Sequence, residues 1–285
     1  MNSRVRADLL RSFSLVFILT VLAVGAMGAS ELKHLRREYL GKTVLLRGMY
    51  TGNKLQFDSS GNLIGTAERE AWTVAQIEIT KIDFKHKTLE ISGRRLAMVA
   101  ASDGSLATVY RGFRDKDSKE TKKPERVAIT MDSPDPTKWE SSIRNVLILD
   151  RSNWNSVIPE YWHAYLDHSP NPNSAPDSEG VVRVLSDGTK VYKAGGAVSQ
   201  ATATYSPDPE YTEPARQARY QGTAVYQLIV DTDGRPRDIQ IKKPLGFGLD
   251  DNGAGVIRQW KFVPAMREGK PVCVAVNVEM SWALW

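Results

Sequence analysis

Few residues in this sequence are typed and spaced for chemistry, and each set reads better as structure. Asp231-x-Asp233-Gly234 begins like a calcium loop, where carboxylates at alternate positions would ligate a hard cation. The later oxygen ligands and the closing Glu are missing at the needed spacing, so the set reads as a hairpin turn. Gly246-x-Gly248 invites a phosphate-cradling reading, but Asp251 stands where the third glycine belongs. The histidines His34, His86, His163 and His168 are scattered, and the His163/His168 pair has no obvious third ligand. Cys273 is the only cysteine, which excludes an internal disulfide, a CxxC redox pair and a Cys-rich zinc site. No Gly-x-Ser-x-Gly element or paired-carboxylate pattern stands out. The sequence thus predicts no catalytic residue, no metal site and no cofactor: it does not read as an enzyme.

The elements that would position any site come next. At 285 residues, 41% hydrophobic and 25% charged, the chain has material for two cores. Its formal charge of +5 is partly carried by Arg4, Arg6 and Arg11, so the remainder is too small to suggest a nucleic-acid partner. Those arginines precede an apolar run over 13–28, broken only by Ser14 and Thr20, and then the small residues Gly25, Ala26, Gly28 and Ala29. Basic, apolar and small-residue regions in that order predict a secretory signal peptide over 1–29. The alternative is an inner-membrane anchor through 13–28, though the run is shorter than the ~20 residues that span a bilayer comfortably. No Cys follows it, so a lipid anchor is not expected.

Residues 31–166 read as a β-rich domain with C-terminal helices. Residues 43–50 are apolar and β-rich, and Gly61-Asn62 suits a hairpin tip. Trp72, Val74, Ile77, Ile79 and Ile82 predict one strand with a bulge between Val74 and Ile77. The charge-dense stretch 114–126 mixes both signs and reads as a solvated loop. Ser133-Pro134 predicts a helix start, followed by Trp139, Ile143, Val146 and Leu147 on one face. A second helix is expected over 155–166, with Val157, Tyr161, Trp162 and Tyr165 inward and Pro159 in its first turn. These aromatics are expected in the core rather than in a sugar or peptide site. Residues 167–204 read as a linker with a short hairpin on Asp187-Gly188.

From 205 to 285 the order predicted is helix, strand, strand, helix, strand. A helix over 209–221 ends at Gly222, and strands flank the turn Asp233-Gly234. Asp250 is expected to cap a helix reaching about 261, with Val256, Ile257 and Trp260 inward. In the last strand Val272, Val274, Val276, Val278, Met280 and Trp282 alternate with Cys273, Ala275, Asn277, Glu279 and Ser281, so one buried and one polar face are expected.

This order and punctuation resemble the TonB C-terminal family. The resemblance rests on Pro209-Glu210-Tyr211, Ala215, Gly222, Val225, Asp233-Gly234, Gly246, Leu249-Asp250, Trp260-Lys261-Phe262, Pro264-Ala265 and Gly269-Lys270-Pro271-Val272. It implies a periplasmic, protein-binding module of a family that couples the inner-membrane proton gradient to outer-membrane transporters. It also implies capture of a transporter's extended peptide by strand addition, with Asp208, Tyr211, Val272, Val274, Val276, Asn277 and Val278 as partner-binding residues. The family's Tyr-Pro at the helix start is Tyr211-Thr212 here, with Pro214 displaced, and the Gln that often precedes it is Asp208. The Ser-x-x-x-His pattern and the long Pro-rich spacer of energy-transducing members are absent, so the resemblance implies the binding fold rather than full motor coupling. The β-rich domain resembles regions found ahead of such modules in other secreted bacterial proteins and implies no activity. The expected class is therefore α+β: a β-rich N-terminal domain capped by helices, then a small module with an antiparallel sheet. The alternative partner is a second copy of the chain, in a cell-envelope scaffold or homodimer that pairs through its last strand. A weaker alternative makes the first domain a hydrolase or sugar-binding domain with the module as its docking tag.

Overall fold

Local turn chemistry and period-2 burial shape most of the chain, which a computed structural model describes over residues 27–114, 121–167 and 176–284. The expected signal segment therefore falls largely outside the described residues, as do residues 115–120 and His168, while Thr121–Pro124 of the stretch expected as a loop forms a strand. No helix among the described residues is long and apolar enough to cross a membrane. The chain divides into two units. The first takes residues up to 69, then 77–94 and 126–149. The second takes 70–76, 95–125 and 150–285.

In the first unit, helix α1 (27–39) places Leu35 and Tyr39 inward and ends at Gly41, whose φ of +73° suits a helix terminus. Strands β1 (Thr43–Leu46), β2 (Lys54–Phe57), β3 (Gln76–Lys85) and β4 (Thr88–Ala100) follow, and the last crosses into the second unit at Arg95. The second unit holds β5 (Leu106–Tyr110) and the ribbon of β6 (Gly112–Arg114) with β7 (Thr121–Pro124). Back in the first unit lie β8 (Arg126–Asp132), α2 (Trp139–Val146) and β9 (Leu147–Ile148). The sheet order there is β2-β8-β4-β3-β1-β9, with β2 and β8 parallel. Alternation on β3, β4 and β8 sends Ile79, Ile91 and Ile129 into one core, which Leu35 of α1 and Trp139 and Ile143 of α2 cover.

Two expectations change here. Trp72–Val74 is a turn of 3-10 helix and β3 starts at Gln76, so the slip between Val74 and Ile77 is an element boundary, not a bulge. The helix start after Met131 is set by Asp135, whose carboxylate accepts Thr137 N–H ahead of a 3-10 turn, rather than by Ser133. Ser133 instead gives its carbonyl to Trp139 Nε1 at 2.7 Å.

The second unit continues with a 3-10 turn over Arg151–Ser156, another over Glu160–Trp162, and the short α3 (His163–Leu166). The single helix expected over 155–166 does not form. Pro159 lacks an N–H and sits extended at ψ 142°, which breaks the ladder between Val157 and Glu160. Trp154 and Trp162 are core residues, edge-on to Trp72 at 5.8 and 5.0 Å between ring centroids. Then come β10 (Val181–Val184), β11 (Lys190–Lys193), β12 (Thr202–Tyr205), α4 (Glu213–Gln217), β13 (Gly222–Val230), β14 (Pro236–Lys243), α5 (Leu249–Ile257), β15 (Lys261–Val263), β16 (Ala265–Arg267) and β17 (Lys270–Trp282). Their main sheet runs β10-β11-β17-β13-β14, with β16 also on β17, while β12 and β15 make a separate ribbon. The expected α+β class is what forms, with one departure: β11 pairs with β17 in parallel in an otherwise antiparallel sheet.

Candidate functional site

The site is assembled from short local signals. Thr212 caps α4, accepting Ala215 N–H, while its hydroxyl donates to Phe247 O at 2.6 Å. This cap explains how the helix starts without the family's Tyr-Pro. Tyr211 donates to Tyr220 O at 3.2 Å and Tyr220 to Leu245 O at 3.0 Å, which ties α4 to the loop before α5. The turn between β13 and β14 closes on Gly234 at φ +77°, where a Cβ would meet Phe262 O at 2.0 Å.

Helix α5 differs from expectation at both ends. It stops at Ile257, and 261–263 is strand β15 instead of its last turn. Its N-cap is Gly248 at φ +76°, and Asp250 does not cap. The Asp250 carboxylate instead accepts N–H from Leu245 at 2.7 Å and Gly246 at 2.6 Å, fully buried under the loop. Burial pushes its pKa up to about 7 against those two donors. Asp251 beside it accepts from Tyr161 OH at 2.6 Å and Trp162 Nε1 at 3.3 Å, and burial raises it to about 6. The sequence marked Asp250 only as a cap and did not flag Asp251, whose partners Tyr161 and Trp162 lie far along the chain.

The last strand carries the proposed site residues. Its inner side is paired along all of β13, from Gly222 opposite Trp282 to Val230 opposite Val274. Ala224, Tyr226, Met280 and Val278 turn toward α5, where Tyr226 donates to Asp250 O at 3.0 Å and a Cβ on Gly253 would touch both Tyr226 and Met280. Ile229, Ala275 and Cys273 turn to the opposite face. That face was expected to be polar, yet Cys273 is buried there with Val182, Val191 and Ile229, because hairpin β10–β11 covers it. Asn277, Glu279 and Ser281 are exposed, as the alternation predicts.

Lys270, Pro271 and Val272 of β17 pair with β16, before the first β13 partner at Val274. The outer side of β17 is divided. At Cys273, Val274 and Ala275 it pairs with Val191, Tyr192 and Lys193 of β11. Over 276–282 no strand among the described residues pairs with it. Val274 is thus engaged on both sides and Val272 by β16 alone, whereas Val276, Asn277 and Val278 lie on the open stretch. Tyr211 reaches the Trp282 end of the sheet through Tyr220, whose neighbour Gln221 accepts Leu284 N–H at 3.3 Å. Asp208 is exposed next to Pro207, whose carbonyl takes Trp260 Nε1 at 3.2 Å.

The comparisons with known proteins fall on this same region. A family model described as Gram-negative bacterial TonB protein C-terminal matches residues 207–284. Protein tonB2 of Pseudomonas aeruginosa is 32% identical over 81 residues, covering 28% of this chain and 30% of that protein. Protein TonB of Vibrio cholerae is 30% identical over 77 residues, covering 27% of this chain and 32% of that one. The matches thus span about a third of the length of those relatives. A solution NMR structure of the Pseudomonas aeruginosa TonB C-terminal domain is matched at 23% identity, over 30% of this chain and 86% of that one, with a TM-score of 0.25. The weight therefore rests on the sequence matches, which agree with the order α4, β13, β14, α5, β17: the C-terminal part of this protein is a TonB-type C-terminal domain.

Proposed function

We propose that this protein is a non-enzymatic, exported, periplasmic binding module that captures an extended peptide of an outer-membrane transporter on the outer side of β17. The observation that carries the reading is the stretch 276–282, which is paired with β13 on its inner side and with no strand among the described residues on its outer side. Main-chain N–H and C=O groups on such a stretch are unsatisfied by the sheet and template an added strand. The exposed side chains Asn277, Glu279 and Ser281 flank it, and burial of Val278, Met280 and Trp282 holds its backbone in register.

Titrating the protein with short synthetic peptides from the N-terminal regions of TonB-dependent transporters tests this. Backbone amide shifts should cluster in 276–282. Their absence at millimolar peptide would overturn transporter capture. Shifts that grow with protein concentration alone would move the reading to self-association, since an open margin serves a second copy of the chain equally well. Export rests on the order of charge and hydrophobicity in residues 1–29, and mass spectrometry of the mature N-terminus separates cleavage from anchoring through 13–28.

A further inference from the structure

Hairpin β10–β11 lies on the margin that the proposed peptide would need. It covers Cys273, Val274 and Ala275, just before the open stretch begins at 276. We infer that this hairpin is a displaceable occupant of the margin: an extended partner peptide first pairs along 276–282 and then continues toward Cys273 by expelling β11. The inference rests on the strand-capture reading above and concerns its regulation.

The hairpin is held by little. Its pairing to β17 is parallel, the less stable sense per residue, and involves only Val191, Tyr192 and Lys193, against the nine residues of β13 on the other side. Its apolar anchor is the small cluster Val182, Val191, Ile229 and Cys273. Arg183 pairs with Asp238, and Asp187 sits 3.8 Å from Arg237, but these are solvent-exposed ion pairs of a kind that contributes little. Arg267 lies 5.0 Å over the Tyr192 ring, a further tie to the body of the sheet.

The hairpin is also free to leave as a unit. Its internal contacts are its own: Val181 opposite Tyr192, and a turn closed by Asp187 accepting Thr189 N–H at 2.9 Å. The chain exits through Gly195 and Gly196, both at positive φ with open space where a Cβ would be, so a change of direction there meets no steric barrier. A peptide on 276–282 therefore has a foothold from which each further residue replaces a β11 contact by an equivalent one. The partner this selects is an extended segment long enough to cover both stretches. A shorter one stays on 276–282 and leaves the hairpin in place.

The native Cys273 offers a direct test. Val191 is its register partner across the strands, and both side chains share the same buried cluster. Neighbouring strands bring such positions within disulfide reach, and with no other cysteine the Val191→Cys bridge is unambiguous. The full chain is compared as wild type, as Val191→Ala with a loosened hairpin, and as Val191→Cys reduced and oxidised. The probe is a transporter-derived peptide of about ten residues, the length that covers 273–282 at one residue per position. Unchanged β13–β14 amide spectra establish folding for each form. Expected are binding at least threefold tighter for Val191→Ala and at least tenfold weaker for the oxidised form, reversed by reductant. Shifts in the oxidised form should be confined to 276–282.

Equal affinity in all forms would overturn displacement and leave strand capture standing. No binding by any form, the loosened one included, would remove strand capture and displacement with it. A reading independent of any peptide is amide hydrogen exchange. Val191, Tyr192 and Lys193 should exchange at least tenfold faster than Tyr226 to Val230, and equal protection would show a permanent strand.

Discussion

Asp250, fully buried, and Asp251, half-buried with its Oδ2 enclosed, sit side by side at the start of α5. Their pKa values rise from 3.8 to about 7 and about 6, chiefly through burial. The folded protein thus holds these protons more tightly than the unfolded chain. The stabilisation from them is complete below pH 4 and is lost as pH climbs through 6 to 7. The midpoint of thermal unfolding should fall between pH 5 and pH 8. Asp251→Asn, which keeps an oxygen for Tyr161, should flatten that slope, and a profile as steep as wild type would show that Asp251 is not its source. Gly246 gives a second prediction at this scale. Its φ is +98° and a Cβ would lie 2.2 Å from Met98 O, a clash with backbone. Gly246→Ala should cost about 2 kcal/mol or more in denaturant unfolding, since αL strain adds to the clash.

Between elements, a charged cluster does work that no motif announced. Arg95 on β4 and Arg111 beyond β5 are buried, and both reach Glu70 Oε1, at 2.7 and 2.8 Å. Glu125 adds a second carboxylate, 3.1 Å from Arg111, and Arg111 also donates to Val74 O at 2.6 Å. Burial raises the Glu70 pKa while the two guanidinium groups oppose the rise. Glu70→Gln would leave two buried cations short of a counter-charge. The expected loss is about 3–5 kcal/mol, measured by denaturant unfolding. A loss near zero would mean Glu125 alone neutralises the pair. The same scale explains the broken helix at Pro159: apolar spacing of 3.6 was present, but a missing N–H outweighed it.

For the molecule as a whole, its lone thiol reports on opening. Cys273 is buried under the hairpin, and its pKa is raised by burial and by the hydrogen bond it donates to Asp231 Oδ1 at 3.1 Å. Alkylation in native buffer should therefore be slow and limited by opening. It should accelerate in Val191→Ala and reach the free-thiol rate only on unfolding. Rapid alkylation of the wild type at neutral pH would contradict the packing of β11 against β17.

The sequence by itself determined the order of α4, β13, β14, α5 and β17 and the class of the module, because alternation, Gly222, the Asp233-Gly234 turn and the Pro271 punctuation are local signals that act over a few residues. It also marked the Asp187-Gly188 hairpin as a hairpin. It determined neither the short strands β12, β15 and β16 nor the extents of α4, expected over 209–221, and α5. Only the tertiary structure decided where that hairpin docks, which half of β17 stays open, and why Cys273 is buried on a face that reads as polar. Parallel pairing leaves no signature in either strand alone: it depends on two segments some eighty residues apart meeting in register, and a period-2 pattern names a face without naming what covers it.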